Sequence, residues 1–147
     1  MQVREYELVT LTADDYDSVR ALWEAANLSI RPNGRDSAEQ FARQLAGGTQ
    51  TAIGARAGEL LVGVVVATHD GRKGWINRLA VHPDFRRRGI GQALIAEAER
   101  VLHAQGIHII GVLIEDWNTA SLALFEKTGY TRHSGIVYFT KRDSPDV

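Results

Sequence analysis

The residues best suited to bind an anion lie between 79 and 94, in the stretch LAVHPDFRRRGIGQAL. Three consecutive arginines, Arg86 to Arg88, precede two glycines, Gly89 and Gly91, where a helix is predicted to begin. A helix N-terminus presents unpaired backbone N–H groups and about half a positive charge. Glycine has no Cβ, so a ligand can approach that backbone closely. The segment predicts an anion site, and a pyrophosphate is the natural ligand.

The alternative is a solvated arginine loop followed by a tight turn. The position of this loop, between a strand and a helix N-terminus, favours phosphate binding instead. A dinucleotide site is disfavoured because the GIGQAL run that begins at Gly89 lacks the third glycine of G-x-G-x-x-G. ATP is disfavoured because no Gly-Lys-Ser/Thr follows.

The elements that must position this loop alternate between helical and strand periodicity. Short turns connect the three central strands, which indicates an antiparallel meander. The whole order indicates a mixed α/β sandwich around one sheet. The predicted strands are 3–11, 50–56, 60–68, 75–81, 108–114, 130–133 and 136–141, and the predicted helices begin after Thr12, Ser37, Gly89 and Asn118.

Composition limits the classes of function. The 147 residues carry 17 Lys and Arg against 18 Asp and Glu, so no global field attracts nucleic acid. Cysteine is absent, which excludes disulfides and thiolate metal sites, and the scattered histidines predict no metal site. The most apolar stretch, 60–67, is far shorter than the roughly 20 residues that span a bilayer. We expect a cytoplasmic protein, with a single domain over 1–142 and a polar tail over 143–147.

Two motifs carry a resemblance to a known family. Arg86-x-x-Gly89-x-Gly91 resembles the R/Q-x-x-G-x-G/A signature of the GNAT N-acetyltransferases. The segment from Asn118 to Tyr130 is similar to the family's second signature, N-x-x-A-x-x-L-Y-x-x-x-G-F/Y. The resemblance implies the GNAT fold, with a mixed, mostly antiparallel central sheet of about seven strands and helices on both faces.

The resemblance also implies acetyl-CoA as cosubstrate. Backbone groups of the strand end would pair with the pantetheine arm, and the Val81 N–H would face the thioester oxygen as an oxyanion donor. Backbone N–H groups from Arg87 to Gln92 would hold the pyrophosphate, Asn118 would line the cofactor cleft, and residues around Ser121 to Phe125 would flank the thiol end. The cofactor-binding residues implied are Leu79, Ala80, Val81, Arg86, Arg87, Arg88, Gly89, Ile90, Gly91, Gln92, Asn118, Ser121 and Phe125.

The implied reaction is direct transfer of an acetyl group to a primary amine of a small molecule or protein, without a covalent enzyme intermediate. The alternative is a CoA-binding sensor or regulatory module that has lost its chemistry. The sequence does not name the acceptor amine. The oligomeric state stays open, although exposed strand edges in small domains often pair into homodimers.

Three positions where family members carry proton-transferring side chains differ here. Phe125 replaces the tyrosine of the second signature, and Asn77 and Leu113 stand where glutamates occur. Glu115 lies two residues after Leu113, so on a continuing strand its carboxylate would face the same side and act as the base. Its alternative role is a solvated carboxylate.

Tyr138 is the remaining candidate for a phenol acid, although a tyrosine packed into the sheet fits the same position. A route through bound water needs neither residue. On the acceptor side, Trp23 fits either a substrate wall or the core, and Arg31 either an acceptor carboxylate ligand or a surface arginine.

Overall fold

The computed structural model describes residues 5–147. Five strands and four α-helices occur in this range, together with two short 3₁₀ turns at Ala13–Asp15 and Pro83–Phe85. The elements in chain order are β1 (Glu7–Thr10), α1 (Tyr16–Ala25), α2 (Ala38–Ala46), β2 (Gln50–Ala57), β3 (Leu60–His69), β4 (Gly74–Val81), α3 (Ile90–Ala104), β5 (Ile110–Gly111) and α4 (Thr119–Lys127).

Side-chain caps fix where three of these segments begin. Thr12, after which a helix was predicted, forms a reciprocal capping box with Asp15 at the turn that precedes α1. The Ser37 hydroxyl accepts the Gln40 N–H at 3.2 Å, and the Asn118 side chain accepts the Ser121 N–H at 3.2 Å. Each cap satisfies a backbone donor that the helix itself leaves unpaired.

The sheet has the order β1-β2-β3-β4-β5. The first four strands are antiparallel, as the short turns predict, whereas β4 and β5 are parallel. Helix α3 separates these two strands, and a parallel pair requires a crossover of this kind. The mixed α/β class with helices on both faces is confirmed.

The core has two layers because both faces of β3 are covered. One cluster joins β3 to α3 and α4, and the other joins it to α1 and α2. Seven consecutive residues of β3 are buried, which explains their nearly continuous apolar run. At Gly63 a Cβ would lie 2.8 Å from Ile90 and 2.9 Å from Leu94, so glycine lets α3 sit directly on the sheet.

The predicted seven strands are reduced to five in the described residues. The strand expected over 108–114 is only Ile110–Gly111, and the hairpin expected over 130–133 and 136–141 is wrong: these segments contain no strand. Side chains of residues 136–139 are exposed by 69–87%. Their apolar composition supplied strand propensity, but a two-residue β5 offers no ladder on which further strands can pair. Val3 and Arg4, in the first predicted strand, lie outside the described residues.

Candidate active site

The site is built around an irregularity in the middle of β4. The register between β3 and β4 shifts between Val64 and Val66, so that two residues of β4 oppose one of β3. Arg78 lies at this bulge with a φ of 57°, a left-handed conformation that is uncommon for a residue other than glycine. The bulge changes the direction of β4 just before its last three residues.

Those last residues face an open sheet edge. Strand β5 pairs with β4 only at Gly74 and Trp75, so that within residues 5–147 no strand pairs with β4 on this side from 76 to 81. The His82 N–H donates to Val62 of β3 at 2.8 Å. Because successive backbone N–H groups point to opposite edges, the Val81 N–H points into the gap. We call this gap, between β4 residues 79–81 and the chain after β5, the β4–β5 cleft.

By the same alternation, Leu79 directs its backbone groups into the β4–β5 cleft, whereas those of Ala80 face β3, where Ala80 opposes Val64. The side chain of Ala80 is buried against α1 and α2, and those of Leu79 and Val81 pack on the opposite core cluster. The three residues predicted from the sequence therefore divide into two cleft-facing backbones and one that holds β4 in the sheet.

The arginine loop that follows β4 ends in an open helix N-terminus. Arg87 and Gly89 both have left-handed backbones, with φ values of 65° and 79°. Helix α3 has no side-chain cap and no acidic residue in its first turn. The Ala93 N–H, which donates to Gly89 at 3.0 Å, is the first to bond within the helix. The preceding N–H groups, including those of Ile90, Gly91 and Gln92, are therefore available to an anion.

The three arginines are not equivalent. Arg88 is held by Glu5 at 2.7 Å and lies over the Phe85 ring at 5.0 Å. Arg86 and Arg87 are exposed and make no ion pair with any residue in 5–147. We call residues 86–92 the anion loop, and its two available cations are Arg86 and Arg87.

Helix α4 closes the other side of the anion loop. A Cβ on Gly91 would lie 3.2 Å from Leu124, so glycine permits the start of α3 to approach α4. Asn118 and Ser121 form the first turn of α4 and are half-buried. Phe125 is 4% exposed and packs edge-on against Tyr130, with 5.1 Å between the ring centroids. Phe125 is thus a core residue in this structure.

The two predicted proton carriers lie outside regular strands. Glu115 is exposed in the segment after β5 and points, like Leu113, away from the packed side chains of Val112 and Ile114. The expected alternation is therefore present, although the strand itself ends at Gly111. Tyr138 is 69% exposed and contributes to a cavity near the β4 bulge.

That cavity has a volume of about 390 Å³ and includes a residue that sequence reasoning missed. Arg78 donates to the Ser29 carbonyl at 2.9 Å and lies 4.5 Å over the Trp23 ring. Burial of its guanidinium is the main influence that lowers the Arg78 pKa. The signal available was an arginine inside a mostly apolar strand, 74–81. Trp23, at 3% exposure, belongs to the core and also lines the cavity.

Arg31 and Asn77 have local partners. Arg31 donates to Ser29 and Ile30 of its own loop, rather than lining the cavity. The Asn77 amide donates to the Thr68 hydroxyl at 3.1 Å, across the β3–β4 ladder. Within residues 5–147 no cluster of three or more His, Cys, Asp or Glu side chains is arranged to hold a metal ion. No described helix is both long and apolar enough to cross a membrane.

The sheet, the bulge, the open edge and the uncapped helix together define an acyltransferase architecture. The Acetyltransferase (GNAT) family profile matches residues 16–130. The chain belongs to this acetyltransferase family, which confirms the resemblance that the two motifs indicated. It is 35% identical to an acetyltransferase of Photorhabdus laumondii over 92% of this chain and 94% of that one. An acetyltransferase of Sodalis glossinidius is 32% identical, with coverage of 92% and 94%.

Solved structures share the fold at lower identity. An aminoglycoside acetyltransferase from an uncultured soil metagenomic sample has a TM-score of 0.79 at 22% identity, covering 95% of this chain and 99% of that one. The aminoglycoside N-acetyltransferase AAC(6')-Iy in complex with CoA has a TM-score of 0.78 at 19% identity, with coverage of 93% and 95%. At these identities the comparison establishes the path of the chain and the fold.

Proposed function

We propose that this protein transfers the acetyl group of acetyl-CoA to a primary amine by direct attack in a ternary complex. The observation that carries the proposal is the conjunction of the β4–β5 cleft with the anion loop. An open strand edge and an uncapped helix N-terminus follow one another along the chain. The open strand edge suits the pantetheine arm of acetyl-CoA, which needs amide partners along its length. The uncapped helix start and its arginines suit the pyrophosphate, which needs N–H donors and cations.

The pantetheine arm would add to the edge of β4. Leu79 and Val81 supply backbone groups on the cleft side, and Ala80 keeps the strand attached to β3. The Val81 N–H would donate to the thioester oxygen as negative charge develops on it. One preorganised donor of this kind is worth about 10²–10³ in turnover.

The pyrophosphate would sit on the anion loop. Backbone N–H groups from Arg87 to Gln92 surround the helix start, and Arg86 and Arg87 provide cations that no carboxylate in the described chain neutralises. Arg88 contributes by fixing the loop to Glu5 and Phe85. Asn118 would line the cofactor cleft, and Ser121 and the buried Phe125 would flank the thiol end from α4.

Bond changes in the reaction are limited to one carbonyl carbon. The neutral amine attacks the thioester carbon, the new C–N bond forms, the C–S bond breaks, and the CoA thiolate leaves. An ammonium group with an ordinary pKa near 10.4 must first lose a proton, the attacking nitrogen must lose a second one as the amide forms, and the thiolate must gain a proton or be stabilised. Phe125 has no proton to transfer, so other groups must serve.

We assign the base to Glu115 and the acid to Tyr138. Glu115 stands on the exposed side of the segment that borders the β4–β5 cleft. Tyr138 lines the cavity formed in part by Asn77 and Arg78, the residues that precede the cleft-facing end of β4. A water chain that carries the amine proton to Glu115 would meet the same requirement.

The CoA-binding sensor is not favoured as an alternative. The chain matches relatives named acetyltransferases along almost its whole length. The absence of cysteine also suits a cytoplasmic location, where acetyl-CoA is made and thiols stay reduced.

We also propose a homodimer. Residues 136–139 form an exposed apolar segment, which we call the C-terminal apolar segment, with side chains up to 87% exposed. A second copy would cover it by adding a strand edge or a matching apolar surface. Light scattering should give twice the monomer mass, and Phe139→Lys should restore the monomer; a monomeric wild-type protein would contradict the dimer.

The experiment that tests the main proposal is calorimetric titration with acetyl-CoA, desulfo-CoA and NAD. Micromolar binding of both CoA species without NAD binding is expected, followed by CoA release when an acceptor amine is supplied. Absence of acetyl-CoA binding would overturn the proposed function. CoA binding without acetyl transfer to any amine would support the alternative function, a CoA-binding sensor.

A further inference from the structure

The cavity at the β4 bulge, which we call the acceptor cavity, has an unusual balance of charge. It lies between the α1–α2 connection and strands β3 and β4, and Thr68 and Asn77 form its polar floor. Three arginines contribute to its wall and a single acidic side chain opposes them. These charged residues are Arg35, Arg78, Arg142 and Asp36.

The Asp36 carboxylate already has partners within the protein. It accepts the Arg31 N–H at 2.7 Å and lies 3.4 Å from a guanidinium nitrogen of Arg78. The Asp36 side chain is only 11% exposed. It therefore orders the α1–α2 connection and offsets Arg78, whereas Arg35 and Arg142 have no Asp or Glu side chain as a partner within residues 5–147.

Arg78 is desolvated yet incompletely paired. Its Nη1 donates to Ser29, and its Nη2 lies 3.4 Å from the Asp36 carboxylate, but within residues 5–147 neither Nη2 nor Nε makes a hydrogen bond. The guanidinium rests on Trp23, and its side chain is 25% exposed. Burial together with the nearby Arg35 charge lowers the Arg78 pKa, against the opposing influence of Asp36. An added negative charge in the cavity would stabilise this guanidinium.

Arg35 and Arg142 are exposed, and neither forms an ion pair with a carboxylate side chain in residues 5–147. Arg142 donates to the main-chain oxygen of Val147. A guanidinium presents planar donors that match a carboxylate or phosphate. Together with Arg78 they make a wall that attracts an anion and repels a polycation.

We propose that the acceptor cavity binds an anionic group, a carboxylate or a phosphate, carried by the amine that receives the acetyl group. This inference rests on the acetyl transfer proposed above and narrows its substrate class. Holding the anion at the arginines leaves the amine free to reach the cleft-facing end of β4, which follows Arg78 directly in the chain. A polycationic acceptor such as sisomicin would have to approach three arginines and only one acid.

A binding measurement tests the cavity without relying on turnover. The ¹⁵N-labelled protein is kept saturated with CoA, and the indole N–H signal of Trp23 is followed. Matched probes are β-alanine against β-alaninamide, and phosphoethanolamine against ethanolamine. Saturable shifts are expected from the acids alone. Comparing the affinities of β-alanine and phosphoethanolamine shows whether the cavity prefers a carboxylate or a phosphate.

The arginines are tested with a double variant, Arg35→Gln with Arg142→Gln, because both side chains are exposed and their loss spares the core. The double variant should lower the affinity for the acidic probes about tenfold, because charge-assisted hydrogen bonds from two partly solvated arginines are lost. The control Arg100→Gln removes an exposed arginine on α3 and should leave the affinity unchanged. Equal effects of both variants would overturn the proposal.

Turnover provides the second readout. Because the chain has no cysteine, a thiol reagent reports only released CoA. Acidic amines should be preferred over their neutral partners and over sisomicin, and the double variant should raise KM about tenfold with a smaller change in kcat. Equal or better use of neutral amines or sisomicin, or a Trp23 signal that no anion shifts, would overturn the inference.

The two proposals fail differently. A protein that does not bind acetyl-CoA defeats acetyl transfer and the acceptor assignment together. A protein that binds acetyl-CoA and acetylates cationic amines retains the proposed function and loses only the anionic acceptor.

Discussion

The anion loop and the acceptor cavity are both rich in arginine but use it in different ways. In the anion loop, Arg86 and Arg87 are exposed, and the uncapped backbone of α3 supplies the directed donors. In the acceptor cavity, Arg78 is half-buried against Trp23 and fixed by Ser29 and Asp36. A solvated cation tunes affinity and tolerates replacement, whereas a desolvated one also supports the fold.

The difference should be largest when charge is reversed in the anion loop. Arg86→Glu with Arg87→Glu should weaken acetyl-CoA binding by at least about 100-fold, because two attractions to the pyrophosphate become repulsions at an open helix N-terminus. Calorimetry measures the affinity, and a urea transition should show the fold unchanged. Arg100→Glu is the matched control. An affinity within about twofold of wild type would show that the pyrophosphate binds elsewhere.

Replacing the half-buried Arg78 should have the opposite effect: it should lower stability and leave acetyl-CoA affinity almost unchanged. Arg78→Met should lower the free energy of unfolding by about 3 kcal/mol, because Asp36 loses its partner in a place shielded from water. Acetyl-CoA affinity should stay within about twofold of wild type, since the anion loop is untouched. Urea denaturation and calorimetry report the two quantities separately. A stability loss no larger than that of a surface arginine would break the contrast.

A smaller effect is expected from the left-handed backbone of Gly89 in the anion loop. A Cβ on Gly89 would meet nothing within 4 Å, so Gly89→Ala should destabilise the fold only because alanine disfavours the left-handed φ of 79°. The expected loss is about 1 kcal/mol of unfolding free energy. Gly47→Ala, at a right-handed helix end, is the control and should cost less. Equal losses at the two glycines would mean that the loop conformation carries no strain.

The smallest effect is expected for the arginine that the protein already pairs. Arg88→Gln breaks an exposed contact with Glu5 and should cost under about 1 kcal/mol of stability. Acetyl-CoA affinity should fall by less than about threefold, because the positive charge of Arg88 is shared with Glu5. The same titration and urea series measure both values. A loss as large as that of the Arg86 and Arg87 reversal would make the three arginines equivalent after all.

The elements that were predictable from the sequence are those with a local physical signal. The capping residues Thr12, Ser37 and Asn118 marked three element starts, because a side-chain oxygen beside unpaired N–H groups acts over three residues. The meander was predictable from short turns between apolar runs. The anion loop was predictable because a basic glycine-containing loop and a helix start are adjacent in the chain.

The segment from 130 to 141 was not predictable in the same way. Residues 136–139 have strong strand propensity, yet a strand exists only where another one supplies hydrogen-bond partners. The brevity of β5 removes that partner, and nothing within 130–142 signals how far a distant strand extends. Phe125 shows a related limit, because its place in the motif does not specify how deeply the ring is buried or that it packs against Tyr130.

The sequence by itself determined the fold class, the family and the place of the anion loop, since each depends on residues close together in the chain. Tertiary structure decided which cations remain available and which acceptor they favour. Arg88 is engaged by Glu5, 83 positions away, and Arg78 meets Ser29 across 49 positions. Coulomb forces act through space, so a charge acquires its chemical role only when folding selects its neighbours.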